Sequence, residues 1–272
     1  MRSVSDHNPL PRELAPGVYW LGQCSMLEFG GRVLHQYAST FLVTGSRTSV
    51  LVEGGLTRDV PCILEQLEGL FAQGVPEPEY LFLTHTEIPH AGGIGRFLQR
   101  FPDAVACGEV RDLHLTFPQY AERFVAMDPG DVIDLGDSQF HVVEAVFRDL
   151  AYTRWGFDSR RRILFAGDRF SYSHYHDVGH CGAVAEEVDG LEVADEVALF
   201  AMAAFFWTKF VDVEPYIARL NELIVDELGV EIIAPTHGLP ITDPAATMPA
   251  IERGLRAGSA SGMVANPLDN PG

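Results

Sequence analysis

Three short apolar runs in this chain each end in side chains able to bind a metal. Tyr80-Leu81-Phe82-Leu83 is followed by His85, Glu87 and His90, Ile163-Leu164-Phe165-Ala166 by Asp168, and Ile232-Ile233-Ala234 by His237. Runs of this length, rich in branched and aromatic residues, read as buried strands. If the donors share one site, the three strands must end at one edge of one sheet, and that limits the fold more than any other feature. The first run is the most informative. A two-residue step in extended chain puts His85 and Glu87 on the same side. Gly92-Gly93 then opens a helical pattern over Ile94 to Gln99, and the turn toward it brings His90 back to them. Imidazole and carboxylate donors together suit iron, manganese or zinc, and a strand-to-helix loop leaves room for an open coordination position.

Composition narrows the class. The chain has 272 residues, 47% hydrophobic and 21% charged, which fits one globular α/β domain with a large core. Its formal net charge of −19 opposes binding to nucleic acid or to an anionic membrane surface. Cys24, Cys62, Cys107 and Cys181 form no CxxC motif and are expected to be free thiols. Met1 to Pro16 has no apolar signal-peptide core, and Val197 to Trp207 is too short to span a bilayer, so a cytoplasmic protein is expected.

The metal loop resembles that of the metallo-β-lactamase superfamily, His-x-His-x-Asp-His. With Glu87 at the second histidine it is similar to the flavodiiron proteins, whose loop reads His-x-Glu-x-Asp-His. The likeness runs from about Val18 to Pro240. Phe97 to Pro102 resembles the family's helix with its Phe-Pro ending, and Glu144-Ala145-Val146-Phe147-Arg148-Asp149 resembles its segment Ala-Pro-Phe-Leu-His. The resemblance implies an α/β fold, the metallo-β-lactamase αββα sandwich of two mixed β-sheets flanked by helices. It also implies a ligand set: one metal on His85, Glu87 and Asp149, a second on His90 and His237, and Asp168 bridging. Two residues depart from the pattern. Pro89 stands where the family has an aspartate ligand and Asp149 where it has a histidine, which leaves the second metal one ligand short. Glu53 stands near the family's Asp-x-Gly, where it either supports the metal loop or is a surface carboxylate at a turn. His174 fits, with an offset of one, a further family histidine beyond the bridging aspartate.

The remaining pattern gives strands over Gly17 to Gln23, Ala104 to Cys107, Val132 to Leu135, Phe140 to Val146 and Tyr152 to Phe157. A hairpin is expected over Arg32 to Val43 and Thr48 to Glu53. Helices are expected over Val60 to Phe71, Val110 to Phe117, Val193 to Phe210, Val213 to Leu228 and Pro244 to Leu255. The implied organisation is a lead at residues 1–16, one domain at 17–256 and a flexible tail at 257–272. His35, His114 and His141 sit in or beside apolar patterns without ligand spacing and read as structural. His176 and His180 read equally as surface histidines or as part of a loop covering the site.

Two functions follow from the resemblance. One is a non-haem di-iron protein that binds or reduces dioxygen or nitric oxide, with two iron ions (zinc or manganese as alternatives) and a bridging oxo, hydroxo or dioxygen ligand. Oxygen donors at Glu87 and Asp149 favour iron or manganese over zinc. No flavin-binding phosphate loop is visible, so electrons are expected from a separate donor protein, or the chain only senses or carries the gas; a homodimer is implied by the family. The other is a metal-dependent hydrolase of an ester, lactone, thioester or phosphodiester. A single-metal or metal-free relative of these is a third, non-catalytic reading.

Overall fold

The computed structural model describes residues 9–29, 31–172, 181–189, 191 and 193–260. Strands are numbered in chain order: β1 (Arg12–Ala15), β2 (Val18–Leu21), β3 (Ser25–Phe29), β4 (Arg32–Gln36), β5 (Thr40–Thr44), β6 (Ser49–Val52), β7 (Pro78–Leu83), β8 (Val105–Gly108) and β9 (Phe124–Ala126). They are followed by β10 (Val132–Asp134), β11 (Gln139–Glu144), β12 (Arg154–Asp158), β13 (Ile163–Phe165) and β14 (Ile232–Ala234). One sheet has the order β1-β2-β5-β6-β7-β8-β9 and the other β10-β11-β12-β13-β14, while β3 and β4 form a separate hairpin. Both large sheets are mixed. The pairs β6–β7, β7–β8, β8–β9 and β13–β14 are parallel and the rest antiparallel.

Period-two alternation of side chains builds two cores from the first sheet. Phe41, Val43, Val50, Val52 and Phe82 point toward the second sheet. Leu42, Leu51, Leu81 and Leu83 point the other way, against α1 (Val60–Phe71) and a third helix, α3 (Ile94–Arg100). The short α2 (Ile88–Ala91) lies between these two helices in the chain, and α4 (Leu113–Thr116) follows β8. Aromatic rings join the sheets: Phe82 lies 5.0 Å from Phe140 and Phe41 lies 5.4 Å from Phe165, centroid to centroid. The second sheet is covered by α5 (Val193–Ala204), α6 (Glu214–Asn221) and α7 (Pro244–Ala260), whose Val197, Ile217 and Ile251 belong to the same contiguous buried cluster. The architecture is the expected α/β sandwich. Among the described residues no helix is long and apolar enough to cross a membrane.

Several elements differ from expectation. β1 lies inside the stretch read as a lead and pairs with β2. The run from Arg32 to Val43 divides, because β4 pairs with β3 while β5 pairs with β6. The long helix read from Val193 stops at Ala204, since Phe205 leaves helical geometry at φ −110° and ψ 50°, and a 3-10 turn covers Phe206–Phe210. The helix read to Leu228 changes from α to π geometry at Glu222. α7 continues to Ala260, past the expected start of the tail.

One glycine makes room for an aromatic ring on the second sheet. Gly156 on β12 sits beside the Phe140 ring, and a Cβ built there would run into that ring. Phe140 is held in turn by Phe82 and Phe165 and has little freedom to retreat. Gly156→Ala should therefore destabilise the fold by about 1–3 kcal/mol through overpacking. A denaturant midpoint equal to that of the wild type would contradict this account of the core.

Candidate metal centre

The carboxyl ends of β6 and β7 from one sheet, and of β11, β13 and β14 from the other, meet at one edge of the sandwich. Backbone hydrogen bonds close that edge. Arg154 N–H donates to the Thr84 carbonyl at 2.9 Å, Thr236 N–H to Gly167 at 2.9 Å and Ser39 N–H to Thr236 at 2.8 Å. Each strand then delivers side chains to one place: Glu53 after β6, His85 after β7, Asp149 beyond β11, Asp168 after β13 and His237 after β14. His90 arrives from α2, whose backbone docks on β6: the Gly54 N–H donates to the His90 carbonyl. That approach needs glycine on both sides, since a Cβ at Gly54 would lie 2.8 Å from the His90 carbonyl oxygen and one at Gly93 would strike Gly54.

The donors fall into two overlapping groups. In one, His85, Glu87, Asp149 and Asp168 each offer an atom within 4.8 Å of the others; in the second, His85, His90 and Asp168 do the same. His85 Nε2 lies 2.9 Å from Asp149 Oδ2. Asp168 Oδ1 lies 3.0 Å from His90 Nε2 and 3.5 Å from His237 Nε2. Glu87 is exposed while His85, His90, Asp168 and His237 are buried, so the centre opens toward solvent on the Glu87 side.

All three imidazoles are turned the same way. His85 Nδ1 lies 3.1 Å from the Thr84 hydroxyl, which itself donates to Glu53 Oε1 at 2.5 Å and so accepts from the ring. His90 Nδ1 lies 3.1 Å from Glu53 Oε1. His237 Nδ1 donates to the Tyr37 carbonyl at 2.5 Å. With each Nδ1 committed as a donor, each Nε2 faces the shared space, the arrangement in which an outer partner fixes the tautomer of a metal-binding histidine. Thr153 performs the same service for Asp149, donating its hydroxyl to Oδ1 at 2.6 Å.

The residues present fit a metal. His85 Nε2 and Asp149 Oδ2 are buried and close, yet misaligned, and neither has a hydrogen-bond partner. Leaving buried polar atoms unpaired is costly, and two such atoms aimed past each other have the geometry of two ligands of one cation. The charges point the same way. Burial opposes a charge on His90, but Glu53 and Asp168 on its two nitrogens raise its pKa well above the ordinary value. Burial would lift the Asp168 carboxyl, yet His90 first, and then His237 and His85, hold it far below the usual range. Burial, with the neighbouring His90 and His85, keeps His237 below its ordinary value against the pull of Asp168. Asp149 is lowered too, because the His85 imidazole beside it outweighs its burial. The protein thus holds ionised carboxylates around a position where a cation would replace the His90 proton.

Of the residues expected from the sequence, His85, Glu87, His90, Asp149, Asp168 and His237 are brought to this edge. Glu53 is buried with φ +67°, a left-handed conformation uncommon for a residue with a side chain, and faces His90 and Thr84; it is not a surface carboxylate. His174 lies outside the described residues. Pro89 offers no donor and lines a cavity of about 380 Å³ with Met26, Leu56, Ile88 and His237. Thr84 and Thr236 are not metal donors, but both take part in the site. Both contact Glu53, at 2.5 Å and 3.4 Å, and their signal was a repeated Thr-His pair at the ends of two strands.

The family model described as the metallo-beta-lactamase superfamily matches residues 35–242. An uncharacterised protein of Methanocaldococcus jannaschii is 22% identical over 238 residues, 84% of this chain and 56% of the relative. The rubredoxin oxygen:oxidoreductase of Desulfovibrio gigas superposes with a TM-score of 0.70 at 12% identity, over 91% of this chain and 61% of that one. The flavodiiron protein of Giardia intestinalis does so with a TM-score of 0.70 at 17% identity, over 93% and 60%. At these identities the likeness to the solved structures is one of fold, and the chain spans about three fifths of each relative's length.

Replacing Asp168 by alanine should remove at least one metal equivalent per chain, read by elemental analysis of the folded variant; unchanged content would refute its assignment as the shared ligand. Glu53→Gln keeps the volume but weakens the hold on His90 Nδ1. It should lower metal affinity about 10–100-fold in a chelator competition, whereas equal affinity would show that Glu53 only fills space.

Proposed function

The chain belongs to the metallo-β-lactamase superfamily, and from that membership and its donor set we propose that it is a non-haem di-iron protein that binds or reduces dioxygen or nitric oxide. The observation that carries this reading is the mutual approach of His85, Glu87, Asp149 and Asp168, three carboxylates to one imidazole. Hard oxygen donors favour iron or manganese over zinc. On this reading His85, Glu87 and Asp149 hold one iron, His90 and His237 the other, and Asp168 both. When bound, two irons supply the redox equivalents that dioxygen or nitric oxide requires.

The chain's own residues set the rest. The Thr84, Glu53 and Tyr37 contacts keep each Nε2 lone pair pointed inward, so little reorganisation accompanies metal uptake. Pro89, lacking a donor, leaves the side of the centre near His237 open to an outside ligand. The neighbouring cavity has apolar walls in Met26, Leu56, Ile88 and Pro89, which suit a small uncharged gas. Ser25, Gln36, Thr57 and Arg58 also line the cavity and could anchor a polar group. On this reading the chain either exchanges electrons with a donor or senses or carries the gas, and the family's habit suggests a homodimer.

Metal analysis paired with optical spectra before and after air is admitted to the anaerobic protein tests the proposal. About two irons per chain and a new visible band on exposure are expected. Two zincs with no response to oxygen, together with turnover of esters or thioesters, would replace it with the hydrolase reading. A single metal would mean that Pro89 has cost the second position.

A further inference from the structure

Away from the centre, two cysteines and a histidine converge. Cys24 precedes β3, His35 lies on β4, and Cys181 comes 157 residues after Cys24; each offers a donor atom within 4.8 Å of the other two. Cys24 Sγ is 3.1 Å from His35 Nδ1. No disulfide joins the thiols. Cys24 is buried while His35 and Cys181 are half-buried, so an ion could reach the group from the surface. We propose that Cys24, His35 and Cys181 form a second, soft-donor metal site that takes a thiophilic divalent cation such as Zn2+.

The chemistry differs from that of the main centre. Two thiolates and an imidazole are the donor set of tetrahedral zinc sites, with Zn–S near 2.3 Å and Zn–N near 2.0–2.1 Å, which places donors about 3.5–3.8 Å apart. The cluster needs only a small widening between Cys24 and His35 to meet that. Water or another outside ligand would complete the fourth position. Binding forms two S–metal bonds and one N–metal bond and releases two thiol protons, with no change of oxidation state. Uptake therefore weakens as pH falls.

The location gives the site a consequence. The β3–β4 hairpin pairs with neither large sheet. A metal here would clamp it to the stretch containing Cys181, where Gly182 N–H already donates to the Tyr37 hydroxyl at 2.8 Å. Tyr37 is the residue whose carbonyl orients His237. A cation on Cys24, His35 and Cys181 would thus brace the backbone that aims one donor of the main centre.

Titrating the full-length, metal-free protein with Co2+ separates the two sites, because the main centre has only nitrogen and oxygen donors. A thiolate-to-cobalt charge-transfer band in the near ultraviolet is expected. It should survive in Asp168→Ala and vanish in Cys24→Ser and Cys181→Ser, with circular dichroism confirming that each variant is folded. In the wild type, bound Zn2+ should protect two of the four cysteines from a thiol reagent. Absence of the band in the wild type would overturn the proposal. So would recovery of a Cys24–Cys181 disulfide from the freshly purified protein, which would assign the pair to redox chemistry instead.

Discussion

Everything at the edge of this sandwich depends on the buried Glu53–His90–Asp168 chain. Two carboxylates face the two nitrogens of one imidazole at 3.1 Å and 3.0 Å, all three residues buried. Buried carboxylates are tolerable only when paired, and His90 pairs both. The same chain joins four pieces of backbone. Glu53 ends β6 and also accepts from Thr84 at the end of β7, His90 belongs to α2, and Asp168 follows β13. Removing one member would leave a buried charge without its partner as well as an incomplete ligand set, so stability and metal chemistry are coupled here.

Much of this was legible in the sequence because metal ligation restricts residue type severely. His85, Glu87, His90, Asp168 and His237 stand out as donors placed just past apolar runs, and the sheet geometry that brings them together follows from those runs ending at one edge. Asp149 could be singled out only through the family resemblance, since no strand ends on it; it lies five residues beyond β11. The backbone oxygen of Tyr37 carries no sequence signal at all.

Short or irregular elements were harder. β1, β3 and β9 have three to five residues each and lack clean alternation, so their pairing partners, not their composition, make them strands. The helix from Val193 continues in sequence pattern through the aromatic stretch, but Phe205 packs against Phe147 in the core, and the backbone turns to place it there. His35 was read as structural because no second ligand lies at a recognisable spacing. In space it meets Cys24, just before the hairpin, and Cys181, which only the folded chain brings near.

The order of the donors along the chain has a consequence for how a centre of this kind could be loaded. Glu53 and His237 are separated by nearly the whole domain, and the two sheets contribute to the centre jointly, so no fragment can assemble it. A cation that binds the finished site but not the open chain adds to stability in proportion to the logarithm of its concentration over its dissociation constant. On the proposed reading, the melting temperature would report metal supply as well as packing.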